Sequence, residues 1–315
     1  MNGIQKESNF LSAVVYLHND QRSAEPLLRA LHGLLCENFK HFEILCLDDA
    51  STDETPRCVR ELARELPGAA LTLVSMSGAQ GVEAAMKAGV DLSIGDFVLE
   101  LDSTARDYPM EMVMDVYRRA LCGFDVVAAA PTGSLRRSSS LFYRLFNRFS
   151  GIDEPLKTER FRILSRRVVN RVTDMNAQIP YRKVAYALSG LAHDTLYYPS
   201  SGDQRITDRE ENRLRKSLAI DTLVMFTDVA FRIGAWLSLM MMALALFMGV
   251  YALVIFFSLG AVAGWTTTIL FLSVAFFGVF FILTVLVKYL SIIVKLLVHR
   301  KEYTVANVEK LSGGD

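Results

Sequence analysis

Two apolar runs in this 315-residue chain end in carboxylates. Asp48 and Asp49 close Phe42-Glu43-Ile44-Leu45-Cys46-Leu47, and Asp102 closes Phe97-Val98-Leu99-Glu100-Leu101. A carboxylate at such a place is costly unless it meets a donor or a cation. Asp48 and Asp49 suit the N–H and hydroxyl groups of a base and ribose; the ordinary alternative is that one caps the next helix. Asp102 is a candidate to hold Mg²⁺ or Mn²⁺ against a diphosphate, because hard cations take oxygen ligands and balance a leaving group's charge. Thr104 adds a hydroxyl as a second candidate ligand, and Asp107 is placed as a further ligand or a base. A lone acid at a strand end is more often a turn residue.

Cations crowd a later stretch: Arg136, Arg137, Arg144, Arg148, Arg162, Arg166, Arg167, Arg182 and Lys183. Guanidinium forks match diphosphate and lipid-phosphate oxygens. The plainer reading is a solvated basic face drawn to anionic headgroups, about 1 kcal/mol per charge near the surface. We expect two or three of these residues to be ligands and the rest surface.

The elements that must position these groups follow from periodicity. Residues 10–130 alternate short apolar runs with amphipathic stretches, the pattern of a mainly parallel α/β sheet with crossover helices. Strands are expected at Leu11–Leu17, Phe42–Leu47, Ala70–Met76, Phe97–Leu101 and Asp125–Ala130, with helices near Ala24–Cys36, Glu54–Glu65, Val82–Leu92 and Pro109–Leu121. Ser51 and Glu54 have capping-box spacing for the second helix. Ligands of open sheets bind beyond the carboxyl ends of strands, which singles out Asn19, Asp20, Asp48, Asp49, Ser77 to Gly81 and Asp102 to Asp107. Further on, strands are expected at Arg160–Leu164 and Thr195–Tyr198, and helices near Arg166–Asp174 and Tyr181–Leu191.

From Ile233 to Val287 roughly 55 consecutive residues carry no Asp, Glu, Lys, Arg or His, more than twice the ~20 one membrane crossing needs. Gly260, Gly264 and Trp265 mark a break, giving spans near 233–257 and 266–287. Basic residues flank both ends, so the positive-inside bias puts both flanks and both termini in the cytoplasm. The expected organisation is a domain over 1–208, an interfacial helix at 209–232, the hairpin over 233–287 and a tail over 288–315 with another interfacial helix near 288–300. The first eight residues have no apolar core, so no signal peptide is expected. Charge is balanced at 34 basic and 34 acidic residues, which argues against a nucleic-acid partner. Cys36, Cys46, Cys58 and Cys122 lack C-x-x-C spacing and read as ordinary thiols.

With those residues in view, the chain resembles the membrane-anchored branch of the family-2 glycosyltransferases with the A-type fold. Leu47-Asp48-Asp49-Ala50-Ser51-Thr52-Asp53 is close to that family's V-D-D-G-S-T-D, and Val14 to Asp20 resembles its opening strand. Gly81-Val82-Glu83-Ala84-Ala85-Met86-Lys87-Ala88-Gly89 is similar to G-K-E-A-A-L-x-A-G. Phe161-Arg162-Ile163-Leu164-Ser165-Arg166 is similar to F-R-L-L-S-R, and Met225-Phe226-Thr227 and Arg300 to Val305 resemble the segments flanking the spans.

The resemblance implies a Rossmann-like domain anchored at the inner or plasma membrane. It implies inverting transfer of a sugar from a UDP- or GDP-linked donor to a polyprenyl phosphate, in cell-envelope glycan synthesis. It places Asp20 and Asp49 at the nucleotide base and ribose and Arg162 and Arg144 near the donor or lipid phosphate; Asn19, Asp48, Gly81, Arg136 and Arg137 stand beside them as substrate-binding candidates. Asp102, Asp107 and Arg162 become catalytic candidates, and Asp102 with Thr104 the metal candidates. It also implies a homo-oligomer, a tetramer in this branch. Several motif positions depart from the pattern: D-x-D reads Asp102-Ser103-Thr104, the Arg-Asn before the glycine reads Gly78-Ala79, and the Asp of D-F-R is Arg160. These favour a second reading, a homologue that binds lipid phosphate, nucleotide or a partner protein without turnover.

Overall fold

A computed structural model describes residues 6–66, 68, 70–132, 159–175, 181–199, 229–259, 264–296 and 303–312. The chain divides into two compact units, one formed by residues 1–147, 152–219 and 300–315, the other by 148–151 and 220–299.

The first unit is built on one sheet. Its strands are β1 (Leu11–Leu17), β2 (Phe42–Asp48), β3 (Ala70–Met76), β4 (Phe97–Leu101), β5 (Val126–Thr132), β6 (Phe161–Ser165), β7 (His193–Pro199) and β8 (Val305–Ser312). Their order is β7-β5-β6-β4-β1-β2-β3-β8. β4, β1, β2 and β3 run parallel, and β6 and β8 lie antiparallel beside β4 and β3. Helices α1 (Ala24–Asn38), α2 (Thr55–Glu65), α3 (Val82–Leu92) and α4 (Met112–Leu121) connect the early strands, followed by α5 (Arg166–Asp174) and α6 (Arg182–Leu188).

β1 is apolar at almost every position because both its faces are covered. Leu11, Ala13, Val15 and Leu17 pack with Leu28, Leu31 and Leu35 of α1 and Val113 and Tyr117 of α4. Val14 and Tyr16 point the other way, into a second core with Ala85, Met86 and Ala88 of α3, Val168 of α5 and Tyr186 of α6. Gly89 lets α3 lie close on the sheet: a Cβ there would stand 2.3 Å from Val14 Cγ1 and 2.7 Å from Leu47 Cδ2.

One local expectation changes. Ser51 and Glu54 form no capping box, because the Ser51 hydroxyl accepts from Asn19 N–H at 3.0 Å; Asp53 instead accepts from Thr55 N–H at 3.0 Å, where the helix opens. Residues 288–296, where an interfacial helix is expected, continue the second long helix to Leu296, and the tail supplies β8, which covers the otherwise open edge of β3.

The second unit holds two long helices, α7 (Val229–Leu259) and α8 (Trp265–Leu296). Gly234–Phe257 and Thr267–Leu290 are long and apolar enough to cross a membrane, with mean hydropathy 2.5 and 2.8. Their apolar side chains are largely exposed, among them Trp236, Phe247, Phe257 and Phe271, unlike those of a core helix. Gly264 turns the chain between them at φ +90°. The two helices are linked by Ser238 Oγ donating to Phe280 O at 2.6 Å and Thr284 Oγ1 donating to Ser238 Oγ at 2.6 Å, a polar bridge suited to an apolar solvent. Of the expected interfacial helix at 209–232, all but the last four residues lie outside the described residues.

Candidate active site

The strand order reverses between β1 and β4, and in open sheets that point opens a crevice at the carboxyl ends. Asp20, just past β1, and Thr104, just past β4, meet across it: Thr104 Oγ1 donates to Asp20 Oδ1 at 2.7 Å and lies 2.9 Å from Ser23 Oγ. Asp20 Oδ2 also accepts from His18 N–H at 3.0 Å, and its own N–H donates to Thr55 Oγ1 at 2.8 Å. Asn19 sits at φ +53° and accepts on Oδ1 from Thr52 N–H at 2.8 Å, which binds the β1 loop to the β2 loop.

Asp48 and Asp49 take different roles. Asp48 Oδ1 accepts from Ser51 N–H at 3.3 Å, closing a turn in its own loop. Asp49, buried, reaches across to the loop before α3: its oxygens accept from Gln80 N–H at 2.7 Å, Gly81 N–H at 2.8 Å and the Tyr16 hydroxyl at 3.0 Å. Gly81 permits this with φ +88°, which a side chain rarely adopts. On its outer side the same loop is held by the tail: Gln80 Nε2 donates to Thr304 O at 2.7 Å, and Thr304 N–H donates to Gln80 Oε1 at 2.8 Å.

Asp102 belongs to a buried ionic network. Glu100, two residues earlier on β4 and fully buried, accepts from Arg162 Nη1 at 2.8 Å, from Arg182 Nη1 and from the Tyr186 hydroxyl at 2.8 Å. Asp102 accepts from the same two arginines, Arg162 Nη2 at 3.0 Å and Arg182 Nη2 at 2.8 Å, one on each oxygen. The outer nitrogens are held by Glu159, 2.9 Å from Arg162 Nε, and Glu83, 3.1 Å from Arg182 Nε; Lys183 lies 3.7 Å from Glu159. The register of β4 against β6 sets Arg162 opposite Glu100, and Arg182 opens α6. Burial alone would push the Asp102 carboxyl up, but Arg182 and Arg162 outweigh it and hold the group well below the usual carboxylate range. Burial, followed by the Glu100 charge, raises the Tyr186 phenol well above its ordinary value.

Asp107 is almost fully buried. Its Oδ2 accepts from Arg160 Nε at 2.9 Å and Nη2 at 2.8 Å, and its Oδ1 accepts from the Tyr198 hydroxyl at 2.9 Å. Burial and the Asp107 charge raise the Tyr198 phenol. Arg160 is thus the salt-bridge partner of Asp107.

The structure therefore gathers Asn19, Asp20, Asp48, Asp49, Gly81, Asp102, Thr104 and Arg162 around the carboxyl ends of β1, β2 and β4. Arg136, Arg137 and Arg144 lie outside the described residues. Glu100, Glu83, Glu159 and Tyr186 were not singled out from sequence, and Arg182 stood only as one of a crowd of cations. The Glu100 signal was a charged residue inside an otherwise apolar strand, which has to be paired.

Of the two metal candidates, Thr104 donates its hydroxyl to Asp20, and a divalent cation at Asp102 would share that carboxylate with two guanidinium groups. Among the described residues no three His, Cys, Asp or Glu side chains converge as a metal site.

Residues 12–173, just over half of the chain, match the family described as Glycosyl transferase family 2. The chain is 22% identical over 290 residues to an uncharacterized glycosyltransferase of Bacillus subtilis, covering 89% of this chain and 88% of that one. It is 32% identical over 121 residues to the undecaprenyl-phosphate 4-deoxy-4-formamido-L-arabinose transferase of Pseudomonas aeruginosa, covering 38% of this chain and only 35% of that protein's length. Among solved structures, a mannosyltransferase of Pyrobaculum calidifontis in complex with GDP-Man and Mn²⁺ superposes with a TM-score of 0.51 at 19% identity, covering 69% of this chain and 63% of that one. Mannosyl-3-phosphoglycerate synthase from Rubrobacter xylanophilus gives 0.51 at 18% identity, covering 68% and 72%. At such identities the likeness is one of fold.

Proposed function

Because the chain belongs to glycosyl transferase family 2, we propose that it moves a sugar from a nucleoside-diphosphate donor to a polyprenyl phosphate at the cytoplasmic membrane face. One observation carries this reading: two buried guanidinium groups, Arg162 and Arg182, are locked side by side by Glu100 at the carboxyl end of β4. Fixed cations at a strand end suit a reaction in which charge builds on a departing diphosphate. The acceptor's phosphate oxygen attacks the anomeric carbon, the bond from that carbon to the donor's diphosphate oxygen breaks, and configuration inverts. A phosphate is ionised at neutral pH, so positioning and charge neutralisation supply most of the acceleration. Asp20 and Asp49, with the loops they tie together, would frame the nucleotide.

The lipid acceptor is supported by the two exposed apolar helices and by relatives named as undecaprenyl-phosphate transferases. β8 follows the second helix yet pairs within the sheet that precedes the first, which supports a hairpin with both flanks on one side of the bilayer. The basic flanks favour the cytoplasmic side.

The test is transfer of labelled sugar from a panel of UDP- and GDP-sugars to a polyprenyl phosphate by the full-length protein in lipid nanodiscs. Transfer from at least one donor, lost in Arg182→Gln, is the expected result. No transfer from any donor would leave the binding-only reading, which is favoured by Thr104 and Asp102 being tied to Asp20 and to the arginines.

A further inference from the structure

We infer that Asp102 is an internal stand-in for a phosphate group: it occupies the seat between Arg162 and Arg182 and is displaced by the ligand's phosphate, without help from a divalent cation. This deepens the reading above and rests on it for the class of ligand.

Three observations lead there. First, the two arginines are engaged everywhere but one place by more deeply buried partners. Glu100 is 0% exposed, Glu83 12% and Glu159 14%, whereas Asp102 is 23% exposed. Each Nη2 atom is thus held by Asp102, the most exposed carboxylate of the group. Second, Asp102 bridges the pair with one oxygen on each guanidinium. A phosphate group presents two oxygens to such a pair in the same fashion and carries more charge. Third, among the described residues of this network Glu83, Glu100 and Glu159 match Arg162, Arg182 and Lys183 in number, so Asp102 is the surplus anion of that described set. Exchanging that surplus for a ligand's phosphate leaves the buried part of the network intact.

The idea differs from metal ligation in what it requires. A metal ligand must be present for the diphosphate to bind, whereas a stand-in competes with it. When a resident group fills a seat most of the time, apparent affinity falls by the fraction of time the seat is open. Removing the charge of Asp102 should therefore tighten binding.

The experiment is calorimetric titration of the full-length protein in nanodiscs with pyrophosphate, UDP, GDP and farnesyl phosphate, each in EDTA and again in Mn²⁺. Wild type should bind pyrophosphate in EDTA, and Asp102→Asn should bind it about tenfold more tightly. Wild-type binding that demands Mn²⁺, loss of binding in a folded Asp102→Asn protein, or no binding of any probe to either protein would overturn the inference. Should the variant not fold, the wild-type comparison between EDTA and Mn²⁺ decides alone. Tightening confined to UDP and GDP assigns the seat to the donor's diphosphate, and tightening confined to farnesyl phosphate assigns it to the acceptor; both support the exchange. If Asp102→Asn tightens binding yet no sugar is transferred, the transferase reading falls and the stand-in remains. If transfer occurs only with Mn²⁺ and vanishes in the folded variant, the reverse holds.

Discussion

Arg182 Nη2 donates to Asp102 Oδ1 at 2.8 Å, on the oxygen opposite to the one that Arg162 holds. The carboxyl of Asp102 titrates below its usual range as a result, despite the opposing effect of burial. A carboxylate whose folded-state pKa is depressed adds stability above its unfolded value, near pH 4, and loses it as pH falls further. Asp102→Asn should therefore lower the stability of the folded protein by about 2 kcal/mol at pH 7, and the gap to wild type should close in acid. Thermal unfolding from pH 7 to pH 3 checks this; a gap that does not change with pH would refute it.

Restoring the second acid of the D-x-D motif should harm this chain. Thr104 donates to Asp20 at 2.7 Å, so Thr104→Asp replaces a donor with a second carboxylate at hydrogen-bond distance from the first. We expect a loss of about 2 kcal/mol at neutral pH, relieved as the pair takes up a proton in acid. Unfolding curves at pH 7 and pH 4.5 read this out, and equal losses at both would count against it.

Ala50 has the left-handed backbone, φ +53°, at the position where the family pattern carries glycine. A side chain there costs about 1 kcal/mol, of which glycine's extra unfolded-state entropy returns roughly half. Ala50→Gly should raise stability by about 0.5 kcal/mol. A fall in the unfolding midpoint would show that the loop does not adopt this conformation.

Gln80 joins Asp49 to the tail, with its N–H on Asp49 and its side chain paired twice to Thr304. Gln80→Ala keeps the first contact and removes the others. A cost of about 1 kcal/mol and weaker nucleotide binding with an unchanged fold are expected. Nucleotide titration against circular dichroism separates the two effects.

Most of the sheet could be read from the chain because its strands are local events. Leu11–Leu17, Ala70–Met76 and Phe97–Leu101 fall where expected, since an apolar run bounded by polar residues has few other solutions. The strand-end acids were also visible, as charges that interrupt such runs. Their partners were not. Glu100 meets Arg162 and Arg182 across 62 and 82 residues, and only strand register and the seating of α6 bring them together. Thr104 shows the same limit: its spacing from Asp102 suits a shared metal, yet a hydroxyl can also donate, and here it donates to Asp20 in the loop after β1. β8 is not legible locally because Val305-Ala306-Asn307-Val308-Glu309-Lys310-Leu311-Ser312 has too little apolar character to announce a strand; it is specified by the edge it pairs with.

That pairing has a consequence for synthesis. Ala70 is aligned with Ser312, roughly 240 positions later, with both bilayer-length helices lying between them in the chain. A sheet built from the amino end, with β3 already paired to β2, must therefore leave the outer edge of β3 open until both long helices have been made. The seam continues into the Gln80 loop through Thr304, so a chain halted before β8 would leave that loop without its outer support beside Asp49.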